Sequence, residues 1–358
     1  MLTQHPTLLI GPSDWDPGRM PKAEFDRRIA ALWEAFPDVS QAIVFGSAKE
    51  HAELAYLTNF VPKLEPGIAL LTRDGGQKLL FGGGPNMIGS MKPLTFIADM
   101  APLNALGKAI AGWKPLLIGA GQMASAVRKT IDDATASTAR DATAQVWALM
   151  RRKSAAELAA IRDACDVLNE AMAAIRQSVR AGHLTRVSVL AGERAAIDAG
   201  VQDVRTLFSL DGGRTLRPFD MPPEVRADPL QVYVAVRLFN YWAEGFACIS
   251  NGPEPAASLA ALLLDNALSA IKPGVPLAQL SRILAVGAPY RVHPVTEGAH
   301  ASAIGLALEG PPDTSFEAGE VYSVRAGLTD GADANAIVSA MIAVGDDGND
   351  VLWRSGLA

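Results

Sequence analysis

The sequence predicts an α+β protein with two domains, on three observations. Its 358 residues are more than one hydrophobic core usually supports. The first part of the chain alternates short apolar runs with helical stretches, which is typical of an α/β domain. In the second part, helices come in pairs between groups of strands, which favours helices packed on a curved antiparallel sheet. We therefore expect an α/β domain over residues 1–146 and an α+β domain over residues 147–358.

Short apolar runs predict the strands of the first domain. They cover residues 42–45, 68–71, 78–81 and 116–118. The glycines at positions 82–84 lack the lysine and hydroxyl of a phosphate-binding loop and the spacing of a dinucleotide fingerprint. They therefore predict a turn at the end of a strand.

A capping-box pattern opens the second domain, because Ser154 is followed three residues later by Glu157. Apolar residues then recur every three or four positions as far as Val179, which predicts one long amphipathic helix that ends at Gly182. A second helix is expected from Thr185, a natural N-cap, to Gly200. Two later helices are predicted over residues 256–271 and 275–283. Strands are predicted over residues 204–210, 230–238, 320–324 and 337–344. Turns are predicted at residue 331 and over residues 346–348.

Composition and charge narrow the partners and the compartment. A net charge of −6 with interspersed signs offers no basic stripe, which disfavours nucleic acid and anionic membrane surfaces. The first residues lack a basic region followed by an apolar stretch, and Asp265 interrupts the apolar run 259–264, so we expect neither export nor a membrane span. Cys165 lies on the apolar helix stripe, where a reduced core thiol fits the cytoplasm.

Several segments together resemble one family of hydrolases. They are residues 56–60, 150–154 with Glu157, Ile161 and Arg162, 271–275, 316–323 and 343–348. The chain is similar along almost its whole length to the pita-bread metallopeptidases, which include creatinase, aminopeptidase P, prolidase and methionine aminopeptidase. The resemblance implies a creatinase-like N-terminal domain over 1–146 followed by a pita-bread domain over 147–358.

The same resemblance implies that the metal ligands of that family are replaced. The family holds paired divalent ions with two aspartates, a histidine and two glutamates. Tyr233 and Glu244, eleven residues apart, stand at the aspartate positions, and Ser302 stands at the histidine position. Arg325 and Ser339 stand at the glutamate positions. Further along, Glu309 falls near a later histidine, and Phe219 aligns with the proton-transferring histidine of creatinase.

One carboxylate and a fixed cation do not suit two hard divalent ions, which need several oxygen donors and net negative charge. A guanidinium is always protonated and repels a cation at contact distance. We therefore expect no metal ion and no other cofactor. Instead, Arg325 and Glu244 are predicted to form a charge-assisted ion pair in the cavity of the family's metal site.

A second interpretation of the same residues is catalytic. Arg325, with Arg237 or Arg214, would bind the carboxylate or phosphate of a small anionic substrate, and Tyr233, Glu244, Glu309 or a histidine would act as acid and base. His300 is the preferred histidine, since it lies two residues from Ser302, and His293 is the other candidate. Ser302, Ser339, Phe219 and Trp242 would complete the substrate pocket. Strand alternation would send either Tyr241 or Trp242 to the core instead.

Three functions follow from these interpretations. The preferred one is a metal-independent hydrolase or lyase that acts on a small carboxylate-bearing nitrogen compound. The first alternative is a catalytically inactive pita-bread pseudoenzyme that binds a ligand or a partner, and the second is a metal-dependent proline peptidase. Because two-domain members of the family are dimers whose subunits complete each other's sites, the resemblance implies a homodimer with Phe60 and Lys63 contributing in trans. Arg214, Arg217 and Arg226 lie in a polar loop and are expected to be solvated.

Overall fold

The computed structural model describes residues 14–63, 65–211, 213–218, 225–280, 291–292, 301–308, 310, 314–329 and 335–356. Within these ranges the chain forms two compact units, which join in sequence between Arg151 and Arg152. None of the helices in the described ranges is both long and apolar enough to cross a membrane.

The first unit is built on a mixed sheet. Its helices are α1 (Lys22–Ala35), α2 (Ala52–Thr58), α3 (Ile88–Met91), α4 (Leu106–Ala109), α5 (Ser125–Ala134) and α6 (Thr143–Arg151). Its strands are β1 (Gln41–Gly46), β2 (Gly67–Thr72), β3 (Gln77–Phe81), β4 (Asp99–Pro102), β5 (Leu116–Ile118) and β6 (Arg140–Asp141), in the order β4-β3-β2-β1-β5-β6. The four predicted strands are confirmed, and β3 ends immediately before the three glycines, as expected for a turn.

The helices of the second unit are α7 (Ala155–Arg180), α8 (Thr185–Asp198) and α9 (Pro255–Ala270). The predicted capping box is confirmed, because Ser154 Oγ accepts from Glu157 N at 3.2 Å and Glu157 Oε2 accepts from Ser154 N at 3.0 Å. The prediction of Thr185 as an N-cap is wrong. Leu184 holds that position, and the Thr185 hydroxyl accepts instead from the backbone N–H of Ala227 at 2.8 Å.

Two antiparallel sheets complete this unit. The first consists of β7 (Asp203–Phe208), β8 (Leu230–Leu238) and β9 (Tyr241–Ile249) in sequential order. The second consists of β10 (Arg291–Val292), β11 (Ala301–Ala303), β12 (Val321–Thr329), β13 (Asn335–Val344) and β14 (Asn349–Arg354). In the second sheet the order is β10-β12-β13-β14, with β11 also paired to β12.

Most of the elements predicted for this unit are present, with shifted ends. The strand predicted over 204–210 ends at Phe208, and the turn over 346–348 separates β13 from β14. Within the described part of the predicted helix 275–283 there is a 3₁₀ turn, Leu277–Gln279. Residues 281–283 and Gly331 lie outside the described residues.

The two faces of β12 and β13 have different roles. Even-numbered residues of both strands, such as Val324 and Ala340, pack in one apolar cluster with α9. Since side chains alternate along a strand, the odd-numbered residues point to the opposite face. That face carries polar side chains, Ser323, Arg325 and Ser339, and it packs against β9. These three polar side chains therefore lie between the two sheets of the second unit.

Candidate functional site

The hairpin of β8 and β9 sets the position of the first two site residues. Its turn is Phe239 and Asn240, both with positive φ, 48° and 70°, as a two-residue turn that matches the strand twist requires. The resulting register pairs Ala235 with Glu244 and Tyr233 with Phe246. Tyr233 and Glu244 are thus diagonal neighbours on one face of the sheet, which explains how residues eleven apart in sequence meet.

The Tyr233 hydroxyl donates to Glu244 Oε2 at 2.7 Å. Both side chains are buried, and Glu244 is only 1% exposed. Burial, reinforced by the negative charge of Glu244, raises the pKa of the Tyr233 phenol far above its ordinary value. The phenol therefore stays protonated at neutral pH and acts as a hydrogen-bond donor to the carboxylate.

Arg325 supplies the opposite charge from the second sheet. Its Nη2 lies 2.9 Å from Glu244 Oε1, with 9% of the Arg325 side chain exposed. The same nitrogen lies 3.4 Å from Ser302 Oγ, and the guanidinium is 5.4 Å from the centroid of the Phe246 ring. The predicted ion pair between Arg325 and Glu244 is therefore confirmed, and both carboxylate oxygens of Glu244 accept a hydrogen bond from a side chain.

Two further contacts join the sheets behind this pair. Ser339 lies opposite Arg325 in the register of β12 and β13, and its Oγ accepts from Phe246 N at 2.8 Å. The Glu244 backbone N–H points to Met341 Sδ at 3.2 Å. The five residues that the family resemblance placed at ligand positions, Tyr233, Glu244, Ser302, Arg325 and Ser339, thus lie around one point between the two sheets.

Trp242 and Tyr241 point in opposite directions along β9, as strand alternation predicted. The Tyr241 hydroxyl donates to Glu157 Oε1 at 3.1 Å, which places this ring toward α7. Trp242 shares the face of Glu244 and lies opposite Arg237. Burial lowers the pKa of Arg237 to about 10; the Asp203 carboxylate opposes this change and the Arg205 cation adds to it.

Arg205, which the sequence interpretation missed, belongs to the same face. It lies opposite Ala235 on β8, and its guanidinium is 4.6 Å from the centroid of the Trp242 ring. A signal was present in the sequence, since Asp203, Arg205 and Leu207 occupy every second position and would share one face of a strand. Without the register there was no reason to place Arg205 near Trp242.

The remaining candidates fall into two groups. Phe219, His293, His300 and Glu309 lie outside the described residues. Lys63 is exposed in the first unit, and Arg214, Arg217 and Arg226 are exposed in the second, as expected for loop residues. Cys165 and Cys248 are both buried as free thiols, and burial raises the pKa of each to about 12.

The residues around Glu244 do not fit a pair of divalent metal ions. Of the five, Glu244 alone has a carboxylate, and the Arg325 cation is in direct contact with it. Across the described ranges, no three His, Cys, Asp or Glu side chains lie close enough together to hold a metal ion. Tyr233 and the two serines offer neutral oxygens, which do not offset the repulsion between a guanidinium and a divalent cation.

Comparison with solved structures gives the fold. The prolidase of Pyrococcus horikoshii OT3 matches with a TM-score of 0.74 over 93% of this chain and 99% of that chain, at 14% identity. The X-Pro aminopeptidase of Thermotoga maritima MSB8 matches with a TM-score of 0.74 over 93% and 98% of the two chains, at 15% identity. Zinc-substituted Escherichia coli aminopeptidase P, in complex with product, matches with a TM-score of 0.73 over 92% and 94%, at 14% identity.

No family model and no curated protein matches the sequence. The structural likeness therefore shows the fold, which is the pita-bread, creatinase/prolidase-like fold that the sequence predicted.

Proposed function

We propose that this pita-bread chain is a metal-independent, ligand-binding relative of the proline peptidases, and that its central site binds a small carboxylate-bearing compound. The observation that carries the proposal is the ion pair between Arg325 Nη2 and Glu244 Oε1, 2.9 Å long and buried between the two sheets. In this pair Arg325 supplies the positive charge that metal ions supply in a metallopeptidase. The Glu244 carboxylate is therefore neutralised by the chain itself.

The geometry favours binding over catalysis. Glu244 accepts from Tyr233 and from Arg325, and its side chain is 1% exposed. A general base needs an acceptor oxygen within reach of the proton that it removes. Here both carboxylate oxygens of Glu244 already accept hydrogen bonds from side chains of the protein itself.

A metal titration tests the proposal most directly. Metal content would be measured on freshly purified, undialysed protein, followed by calorimetric titration with Mn²⁺ and Zn²⁺. We expect far less than one ion per chain, with zinc-loaded E. coli aminopeptidase P as the positive control. Stoichiometric, tight binding that disappears in the Glu244→Gln variant would contradict the proposal and restore the metal-dependent peptidase.

A gain-of-function variant sharpens this result. Replacing Arg325 and Ser339 by glutamate returns carboxylates to the two positions that the family resemblance assigns to ligands. If the register is correct, the R325E/S339E variant should bind Mn²⁺ or Zn²⁺ more tightly than the wild-type chain, because hard cations prefer clustered carboxylates. The single variant S339E, which keeps the Arg325 cation, is the matched control and should not gain this affinity.

The second candidate is a metal-independent hydrolase or lyase on the same fold. It is favoured by the 2.7 Å contact of Tyr233 Oη with Glu244 Oε2, since this contact holds a protonated phenol beside a carboxylate, the two kinds of group that acid–base chemistry uses. An assay with X-Pro dipeptides, with and without EDTA, separates the candidates. The pseudoenzyme releases no proline. The metal-independent enzyme releases proline in EDTA and loses this activity in Y233F, and a metallopeptidase loses it in EDTA.

We also propose that the protein is a homodimer in which Lys63 of one subunit contributes to the site of the other subunit. The support is the resemblance to two-domain relatives, together with the exposure of Lys63 in the first unit. Light scattering during size-exclusion chromatography would give the mass in solution, and a monomeric mass across the concentration range would overturn this part of the proposal.

A further inference from the structure

Four arginines with no ion-pair partner lie around the turn that joins α7 to α8. Arg176 and Arg180 are one helical turn apart at the end of α7, and Arg186 lies in the first turn of α8. Arg226 is held beside the start of α8, because the carbonyl before it and the N–H after it bond to Thr185, at 2.9 and 2.8 Å. Within the ranges that the structure describes, no carboxylate forms an ion pair with any of the four.

This local surplus of positive charge contrasts with the net charge of the chain, which is −6. Elsewhere on α8 the exposed Arg194 pairs with Asp198, one turn later, at 2.8 Å. Arg176 and Arg180 have the same spacing but carry like charges, which repel. Arg176 is half-buried, and burial, together with the positive charge of Arg180, lowers its pKa. A bound anion would relieve this repulsion.

A cavity of about 570 Å³ opens beside Arg180, and this volume suits a small molecule. It lies where the end of α7, the loop after β9 and the first turn of α9 meet. Arg180, Ser250, Asn251, Glu254 and Ser258 form its polar wall, and the buried Cys248 and Ala257 line it as well. The cavity thus combines an exposed guanidinium with neutral polar groups, a carboxylate and an apolar surface.

Two carboxylates in this region already accept hydrogen bonds from the chain. Glu254 caps α9, since its Oε1 accepts from a backbone N–H of the first turn at 3.3 Å. Asp228 accepts from Ser250 Oγ at 2.7 Å and from the backbone and side-chain nitrogens of Asn251 at 3.2 and 3.1 Å. After burial, the charges of both carboxylates raise the pKa of the Cys248 thiol. The four guanidinium groups against these two carboxylates leave two positive charges, so a dianion matches the region better than a monoanion.

We propose that this cavity binds a small phosphate monoester, whose phosphate group meets Arg180. A phosphate monoester carries a charge of about −1.5 to −2 at neutral pH, whereas a carboxylate carries a single charge. The Arg180 guanidinium offers the planar fork that phosphate oxygens accept from, and Asn251 has a second amide N–H besides the one already donated. Arg176, Arg186 and Arg226 attract the dianion over a longer range.

The organic part of the ligand would lie against Ala257 and Cys248, the apolar side of the cavity. Ser250 and Ser258 already donate their hydroxyl hydrogens within the chain, so their oxygens remain as acceptors for hydroxyl groups of the ligand. This site shares no residue with the one around Glu244, and the inference does not rest on the function proposed there.

Calorimetric titration of the full chain, in EDTA and at low ionic strength, tests the proposal with three matched probes. Phenyl phosphate carries the dianion, benzoate carries one negative charge, and phenol is neutral. We expect phenyl phosphate to bind, benzoate to bind about tenfold more weakly, and phenol not to bind measurably, because charge-assisted hydrogen bonds supply most of the affinity. Added salt should weaken the binding of phenyl phosphate, since it screens exposed charges.

Substitutions at exposed positions locate the ligand. R180A should weaken the binding of phenyl phosphate about tenfold or more, and R180K should fall between wild type and R180A because lysine keeps the charge but not the fork. The control is R194A, since Arg194 is also an exposed helix arginine but has Asp198 as its partner, and it should bind as the wild-type chain does. S258W places a large ring in the cavity from an exposed position of α9, and it should abolish binding without removing a charge.

No binding of phenyl phosphate by wild type, equal affinity of R180A and R194A, or equal affinity for phenyl phosphate and phenol would each overturn the proposal. Unchanged binding by S258W would place the anion on the open surface and would overturn it too. The variant E244Q separates this site from the central one and should bind phenyl phosphate as wild type does. If binding responds to E244Q and not to R180A, the anion occupies the central site, and this inference fails while the proposed function stands. Conversely, tight Mn²⁺ or Zn²⁺ binding would refute the proposed function, yet weaker binding of phenyl phosphate by R180A would still support this site.

Discussion

Two buried arginines, one in each unit, show how differently the same side chain is held. Arg28 on α1 donates to Glu24 Oε1, one helical turn before it, at 2.9 Å, and to the backbone oxygen of Tyr56 at 2.9 Å. Its guanidinium also lies 4.5 Å from the centroid of the Tyr56 ring. Arg325 instead meets Glu244, a residue 81 positions away in a different sheet, at 2.9 Å.

The carboxylate partners explain why the two arginines should respond differently to mutation. Glu24 is 10% exposed and is bonded to Arg27 as well, so it keeps a cationic partner if Arg28 is removed. Glu244 is 1% exposed, and Arg325 is the cation bonded to it within the described residues. The first pair is a local helix contact near solvent, whereas the second neutralises a charge in the interior of the second unit.

The largest expected effect is therefore that of Arg325→Met. This change leaves the Glu244 carboxylate buried without its counter-charge, which should lower the free energy of unfolding by about 3–5 kcal/mol. Native-state hydrogen exchange, read from peptides of the second unit, measures the loss. The double variant E244Q/R325M should recover most of it, because glutamine carries no charge and still accepts from Tyr233. A loss below about 1 kcal/mol in R325M would show that the pair contributes little.

The matched change in the first unit, Arg28→Met, should cost less, about 2 kcal/mol. Glu24 stays paired with Arg27, so the main loss is the buried hydrogen bond to the Tyr56 carbonyl oxygen. Hydrogen exchange of peptides from the first unit measures this effect. A loss equal to that of R325M would remove the distinction between the two arginines.

The sequence predicted the elements whose pattern is local. Residues 78–81 and 116–118 are apolar runs, and the Ser154 and Glu157 capping box is a contact within one turn, so each was visible without tertiary structure. By contrast, β4 (Asp99–Pro102) and β6 (Arg140–Asp141) carry no apolar alternation. They are strands because β3 and β5 offer them free edges, and an edge is a property of the assembled sheet.

The site was predictable to a similar extent. The family resemblance paired Tyr233 with Glu244 through the eleven-residue spacing of its two aspartates, and the structure shows why that spacing works, since a two-residue turn fixes which residues share a face. The contact of Arg325 with Glu244 joins two sheets, and it was inferred from the opposite charges that the family resemblance placed in one cavity. Arg205 was missed because its neighbours Trp242 and Arg237 are defined by register, which apolar alternation in one strand does not give.

A smaller effect, dependent on pH, is expected for Tyr233→Phe. The folded state raises the pKa of the phenol above the value of about 10 in the unfolded chain. Its stabilising contribution is therefore complete below pH 10 and declines as the pH rises through that value. At neutral pH, Y233F should cost about 1.5 kcal/mol for a hydrogen bond to a carboxylate.

The measurement for Tyr233 is the difference between wild type and Y233F in urea unfolding, taken from pH 7 to pH 11. The difference should shrink above pH 10, and subtracting the variant removes the contribution of the buried thiols, Cys165 and Cys248, whose pKa values of about 12 give a decline in the same direction. A difference that is independent of pH would mean that the phenol does not donate to Glu244 in solution.

The smallest effect is expected for Ser302→Ala. The distance from Arg325 Nη2 to Ser302 Oγ is 3.4 Å, longer than a strong hydrogen bond, and Ser302 is only half-buried. Its removal should cost about 0.5 kcal/mol, at the lower end of the range for one hydrogen bond. If S302A instead approached the cost of R325M, the serine would be part of what positions the guanidinium. The ion pair would then depend on β11 as well as on β9 and β12, and the contrast with the self-contained pair on α1 would become greater.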